Sequence, residues 1–248
     1  MRNRFVQKIS LIWATWFALG CQQPDAPDCF QLSGDMGVIE TTLPKFNKIE
    51  LNDGVHYQLH PSAEYKIHIT GPENWINEIE YKVEDEQLII HDLNHCKLFR
   101  SKKKSIIIDI YAPAFEEVLN QSFYSVQVMD TLRQSKIKWI NENAPANCTI
   151  LFQGDSCLIE MPKGTGDIHL KGRSYYTSLY SNAIGKLDAR EMHSQYLNCN
   201  HNSLQDIHAQ AKQYLYVVFQ NKGNLILNQS PIQQEVILED EGQLIIED

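Results

Sequence analysis

Asp167-Ile168-His169-Leu170, Lys186-Leu187-Asp188-Ala189, Asp206-Ile207-His208-Ala209 and Asn224-Leu225-Ile226-Leu227 say nearly the same thing four times. Each reads polar, apolar, variable, apolar, and the first apolar position steps from 168 to 187 to 207 to 225, at intervals of 19, 20 and 18. A second series lies between them: Ser178-Leu179-Tyr180, Tyr196-Leu197-Asn198 and Tyr214-Leu215-Tyr216, with leucines 18 apart. Two strand-like signals recurring together at a near-constant period mark a coiled repeat. A period near 20 is too short for coils built from helix pairs, which need more than about 30 residues, and the β-branched and aromatic content favours strands. The expected fold class is all-β, a right-handed parallel β-helix (solenoid).

Side chains alternate faces along a strand, so Ile168, Leu187, Ile207 and Leu225 are expected inward, together with Leu170, Ala189, Ala209 and Leu227. Outward fall Asp167, Lys186, Asp206 and Asn224 in one column, and His169, Asp188, His208 and Ile226 in the next. Coils stack about 4.8 Å apart, and the orders Asp, Lys, Asp and His, Asp, His keep like charges off adjacent rungs. On the second series the outward neighbours are Ser178, Tyr196 and Tyr214 on one side, and Tyr180, Asn198 and Tyr216 on the other. Tyr180, Tyr196, Tyr214 and Tyr216 form the candidate ligand face, because outward tyrosines on a rigid sheet can stack on a glycan or pack into an envelope protein. The simpler reading is that they favour strand structure, or are covered by a terminal segment or a second copy. Cys199 is expected inward, in the column of Ser181 and Val217, as a small hydrophobe.

Ahead of the repeat, residues 1–20 carry Arg2, Arg4 and Lys8, then an apolar run from Ile9 to Leu19, and Ala18-Leu19-Gly20-Cys21 closes it with small residues before a cysteine. That is the layout of a signal peptide, too short to span a bilayer comfortably. Cys21 at that point resembles the lipobox of bacterial lipoproteins, with Leu19 a less usual occupant of its position. The resemblance implies cleavage before Cys21, acyl chains such as palmitate attached to it, and a membrane partner through that N-terminal lipid anchor. Three chains would hold a protein far more firmly than the single chain that gives marginal binding. The alternatives are an ordinary secretory signal cut elsewhere or a buried helix. Residues 21–28 then form a lipidated tether, polar and bearing Pro24 and Pro27.

Residues 29–248 read as a single β-helix domain. From Thr41 onward, short period-two runs such as Ile49/Leu51, Val55/Tyr57/Leu59, Tyr65/Ile67/Ile69, Leu88/Ile90 and Ile106/Ile108/Ile110 are separated by turn signals, with no amphipathic helix of a dozen residues. Phe115 to Glu160 read as the entry coils, with Val126/Val128, Ile137/Trp139, Ile150/Phe152 and Leu158 inward and residues 141–147 an inserted loop. At the C-terminus, residues 235–248 read as two last strands around Asp240-Glu241-Gly242, whose acidic residues discourage edge pairing. The net charge of −9 argues against nucleic acid and anionic lipid as partners. The basic cluster of Arg100, Lys102, Lys103 and Lys104 reads as a solvated turn. Six cysteines include the lipidated one, so five remain and at least one is unpaired. Cys148 and Cys157 lack metal spacing and read as a buried thiol or a local bridge.

Cys29-Phe30, Gly34, the run Leu43 to Phe46, Ile49, Val55, Asn94-His95-Cys96 with Arg100, and Ile106 to Pro113 resemble the auto-transporter adhesin head GIN domain family, common as lipoproteins in Bacteroidetes. The likeness covers about residues 29 to 247 and is tightest from Cys29 to Pro113. It implies a right-handed β-helix in the cell envelope and, more loosely, an adhesin-like role. Where family members often carry an aromatic two residues after the cysteine matching Cys96, Leu98 stands here with Phe99 beside it. The resemblance also implies that Cys29 and Cys96 could pair, a long-loop disulfide worth about 4 kcal/mol in the loop-entropy picture.

Many parallel β-helices cleave polysaccharides, which requires carboxylates, or a carboxylate with a base, converging in a groove. His169, Asp188, His208 and Asp206 come nearest, yet an exposed alternating ladder explains them without chemistry. There is no nucleophile elbow, phosphate loop, HExxH or CxxC. The expected protein has no cofactor and no catalytic site. It is an outer-membrane lipoprotein on the periplasmic face or the cell surface, presenting a surface for adhesion or for binding carbohydrate or protein; a periplasm-facing scaffold is the alternative and a carbohydrate-active enzyme the distant one.

Overall fold

The computed structural model describes residues 33–94 and 104–247. Cys21, Cys29 and Cys96 lie outside the described residues, and with them the signal peptide, the lipid site, the expected disulfide and most of the basic cluster.

Strands form wherever apolar residues alternate with polar ones, and away from the two end strands the apolar set turns mainly inward. β2 (Lys48–Leu51) buries Ile49 and Leu51, and β3 (His56–Pro61) buries Tyr57 and Leu59. The strands stack in parallel as the coils of a β-helix, in three columns. One stack runs through β6 (Gln87–Asp92), β2, β8 (Glu117–Asn120) and β11 (Lys136–Ala144), then the distal parts of β12 (Cys148–Gly164), β13 (Ile168–Ser181), β14 (Leu187–His201) and β16 (Ala211–Phe219), and ends on β18 (Gln233–Leu238). Its innermost rungs pair Leu88, Ile49, Val118, Trp139, Ile159, Leu179, Cys199, Val217 and Val236 in succession.

A second stack runs through β7 (Ile107–Ala112), β3, β9 (Val126–Val128), the starts of β12, β13 and β14, then β15 (Ile207–Ala209), β17 (Leu225–Leu227) and β19 (Leu244–Ile246). Here Cys148, Ile168, Leu187, Ile207, Leu225 and Leu244 are neighbours in register, so the column read from the sequence is the column in space. A third, shorter stack joins β10 (Leu132–Arg133) to the middles of β12, β13 and β14, with Leu132, Phe152, Gly172 and Met192 on one rung series.

The order of coils is not the order of the chain at the start. β2 lies between β6 and β8, and β3 between β7 and β9, so the first coil made is sandwiched by later ones. The N-terminal end is closed by antiparallel strands: β1 (Met36–Thr42) on β4 (Lys66–Pro72), β4 on β7, and β5 (Ile79–Glu84) on β6. A single helical turn, α1 (Glu73–Ile76), tucks Ile76 beneath them. At the other end β18 and β19 each pair on one side only among the described residues, and leave Leu238 and Ile245 exposed. Glu235, Glu239, Asp240, Glu241 and Glu247 surround that edge, and such charge opposes templated pairing.

Several expectations need correction. The solenoid does not begin at Phe115, since β2, β3, β6 and β7 already form coils. Leu158 faces outward between Lys138 and Ser178, while Cys157 and Ile159 point in. Residues 141–144 belong to β11 and not to a loop; Asn141 is buried, and Asn120 Nδ2 donates to its Oδ1 at 2.5 Å across coils. Ile226 keeps its expected place in the outward column, between His208 and Ile245 on its rung, but it is covered and only 8% exposed. The polar column of Asp167, Lys186, Asp206 and Asn224 does more than alternate charge. Asp167 Oδ1 accepts the Lys186 N–H, Asp206 Oδ1 accepts the Asn224 N–H, and Asn224 Oδ1 accepts the Gln243 N–H, each at 2.8–3.1 Å. At these three steps one coil satisfies a backbone donor of the next at the turn, a role Lys186, which has no acceptor, does not take for Asp206.

Candidate binding surface

The outer surface is shaped by a corner between the third and first stacks. Along β13, Ser174 and Thr177 both point inward, which leaves two consecutive residues, Tyr175 and Tyr176, turned out. The same spacing recurs in β12, where Asp155 and Ser156 precede inward Cys157, and in β14, where Gln195 and Tyr196 lie between inward Ser194 and Leu197. The inward hydroxyls close the bend from inside: Ser174 Oγ and Thr177 Oγ1 are 2.5 Å apart, and Thr177 Oγ1 and Ser194 Oγ 2.6 Å. Buried polar groups at a bend are costly unless paired, and these are paired.

On one side of the corner lie the tyrosines. Tyr176, Tyr196 and Tyr214 are direct register partners, and Tyr216 follows in the next outward column with Asn198 and Ser178. With Tyr175 they line a shallow hollow of about 430 Å³. Tyr175 and Tyr196 have ring centroids 5.0 Å apart, Asn198 Nδ2 donates to the Tyr176 hydroxyl at 3.3 Å, and the Tyr214 hydroxyl donates to Glu235 Oε2 at 3.0 Å. The rings are therefore held in place by contacts within the sheet.

Of the four tyrosines singled out from the sequence, the structure brings Tyr196, Tyr214 and Tyr216 together and leaves Tyr180 apart, on a rung with Glu160 and Asn200. The reason is a bulge. Between His169 and Lys171 the offset from β13 to β14 grows by one residue, so Thr177 and not Leu179 stands against Leu197. Leu179 moves into the column of Cys199 and Val217, so Cys199 is inward as expected but partnered by Leu179, with Ser181 opposite His201. The misplaced leucine hid Tyr175 and Tyr176, although the doublet itself, following Ser174, was a readable signal for a bend.

On the other side of the corner is a larger groove, about 1180 Å³, over the third stack. Arg133, Gln153, Arg173 and His193 form a register column along it, with Lys212 and Tyr175 on its wall and Asp155 as the carboxylate among its lining residues. Arg133 Nη1 donates to Gln153 Oε1 at 2.5 Å, and His193 Nδ1 meets Gln210 Oε1 at 2.7 Å. The floor is close-packed backbone. A Cβ on Gly172, whose φ is +122°, would come 1.9 Å from the Phe152 carbonyl oxygen, and one on Gly154 1.8 Å from that of Gln134.

The acid and base groups of the second stack do not assemble a catalytic pair. His169 Nδ1 stands 3.9 Å from Asp188 Oδ2, and Arg190 grips the same carboxylate through Nε at 3.0 Å and Nη2 at 2.8 Å. Those Arg190 bonds hold the Asp188 carboxyl below the usual range, which suits an ion pair and not a general acid. No group of three or more His, Cys, Asp or Glu positioned for a metal occurs among the described residues. Cys148, Cys157 and Cys199 are free and buried; burial pushes the Cys148 and Cys199 thiols up to about 12, and that of Cys157 still higher, so they act as packing groups.

Among the described residues no helix is long and apolar enough to cross a membrane. No curated protein matches the chain. The fold is that of a "putative adhesin" from Bacteroides fragilis NCTC 9343, at TM-score 0.78 and 18% identity over 85% of this chain and 96% of that one. Also similar are a "putative adhesin" from Parabacteroides merdae ATCC 43184 (TM-score 0.59, 18% identity, 86% and 97% covered) and a "putative lipid binding protein" from Parabacteroides distasonis ATCC 8503 (TM-score 0.61, 14% identity, 86% and 97% covered). The family described as "Putative auto-transporter adhesin, head GIN domain" matches residues 45–231, and with well over half its length so matched the chain belongs to that family.

Proposed function

We propose that this protein is a lipid-anchored, non-catalytic β-helix of the cell envelope, acylated on Cys21, that uses its tyrosine strip for adhesion to carbohydrate or protein. The observation that carries the reading is the register of Tyr176, Tyr196 and Tyr214, which sets three rings about 4.8 Å apart on a rigid sheet. Aromatic rings fixed in this way lose little freedom on binding and offer both a face and a hydroxyl. Family membership and the adhesin-like neighbours support an adhesive role over an enzymatic one.

The test joins address and surface. Cys21→Ala should abolish palmitate labelling and release the protein from the membrane fraction. Replacing Tyr176, Tyr196 and Tyr214 by serine should remove binding on a glycan array or to neighbouring cells while the thermal unfolding curve stays in place. Unchanged binding by the triple variant would discard the tyrosine strip, and protection from protease on intact cells would assign the chain to a periplasm-facing scaffold.

A further inference from the structure

The groove over the third stack is the strongest charged feature left unused. It holds Arg133, Arg173 and Lys212 against the lone carboxylate of Asp155, in a protein whose net charge is −9. Arg173 and Lys212 are exposed, and neither charged head has an acceptor within hydrogen-bond distance among the described residues, while several lysines elsewhere on the coils pair across rungs, such as Lys138 with Glu160 and Lys171 with Glu191. Cations left unpaired along one groove of an acidic protein concentrate positive potential there. We propose that this groove binds an acidic polysaccharide, lying along the solenoid axis with its carboxylates or sulfates on Arg133, Arg173 and Lys212.

Three features select that class. Arg133 and Arg173 are two rungs apart, about 10 Å along the axis, with neutral Gln153 between them. A chain with recurring charges matches that spacing without drawing the two side chains together. The volume of about 1180 Å³ suits several sugar rings and is far too large for one phosphate. Tyr175 lines this groove and the tyrosine hollow alike, so a sugar ring can lie on its face beside the cations. Nucleic acid fits less well because single-strand binding relies on successive aromatic platforms, and the groove offers one tyrosine ring, Tyr175.

The proposal rests on the reading of this protein as a binding surface, and the experiment separates the two. Full-length protein is titrated with alginate, dextran sulfate, neutral dextran and single-stranded DNA at low and physiological salt. Alginate or dextran sulfate should bind, more weakly as salt rises, and neutral dextran should not bind in the groove. The variant Arg133→Gln/Arg173→Gln/Lys212→Gln should weaken polyanion binding by at least about tenfold, since charge-assisted contacts are lost. These side chains are outward, so its unfolding midpoint should match the parent's. The tyrosine-strip variant should keep polyanion binding, whatever happens to its adhesion. Absence of binding to both acidic polymers, or equal binding by the Gln variant, would overturn the proposal without touching the tyrosine strip. Tighter binding of DNA than of either polysaccharide would overturn the ligand class.

Discussion

The coils before residue 130 and those after it are built differently. The early ones are two-sided: β2 with β3 and β6 with β7 contribute to the first and second stacks, and residues 52–55, between β2 and β3, turn without a strand. From β10 onward a third stack appears, and both surface hollows lie on it or at its corner with the first. The early part is interleaved and capped by antiparallel strands, so its work is to close the end of the core. The later coils follow one another in chain order and are free to vary their outward residues, because each new rung is held by the rung before it. Function has room where the coils follow one another in chain order.

Trp139 is where the two regions meet, with β8 of the early coils on one side and β12 of the later ones on the other. It is fully buried, so Trp139→Ala should cost about 3–5 kcal/mol. If the two regions are one cooperative unit, chemical denaturation should show a single shifted transition. Two separate transitions would mean that the interleaved end and the sequential coils unfold independently.

Gly172 tests the third stack alone. Its φ of +122° and the 1.9 Å approach of a Cβ to the Phe152 oxygen predict that Gly172→Ala costs about 2–3 kcal/mol and shifts the groove floor. Hydrogen exchange should quicken around Phe152 and Met192 while β2 and β3 remain protected. Uniform loss of protection would deny that the third stack is a local addition.

The same contrast governs what the sequence disclosed. The column from Ile168 to Leu225 was legible because nearly equal chain lengths separate its rungs and the bulge of β13 on β14 begins only after His169. The leucine series misled because the offset from β13 to β14 is 19 before the bulge after His169 and 20 beyond it, not 18, so Leu179 stands two residues past Leu197, against Cys199. The sandwiching of β2 between β6 and β8 left no mark, since a period-two run states which face is inward but not which strand lies beside it. Arg133, Arg173, His193 and Lys212 form a groove only once five successive coils are in register, so no single stretch announced it.

Acid should affect both regions through one histidine each. Burial lowers the pKa of His56 in the early coils and of His201 in the later ones, where a carbonyl bond to Asn224 and the charge of Asp206 act weakly in the opposite direction. A histidine kept neutral by the fold binds fewer protons folded than unfolded. Stability is therefore undiminished above the unfolded pKa of about 6.5 and falls as pH drops below it, by no more than about 1.4 kcal/mol per pH unit for each group. His201→Gln should flatten part of this slope and His56→Gln another part. A slope removed wholly by one substitution would place the acid sensitivity in that region alone.

The smallest effect belongs to the most conspicuous charged ladder. Asp188 is gripped by Arg190 and faces His169, but the Arg190 and His169 partners are largely exposed, and ion pairs open to water contribute little. Asp188→Asn should change stability by less than about 0.5 kcal/mol at neutral pH, with the difference fading further as pH falls through the acid range where the carboxylate of the parent is lost. It should leave binding at both hollows untouched, since those lie on another stack. A large loss of stability would mean that the ladder of the second stack steers coil register. Loss of ligand binding would instead couple that stack to the third and dissolve the division of labour between the sides of the solenoid.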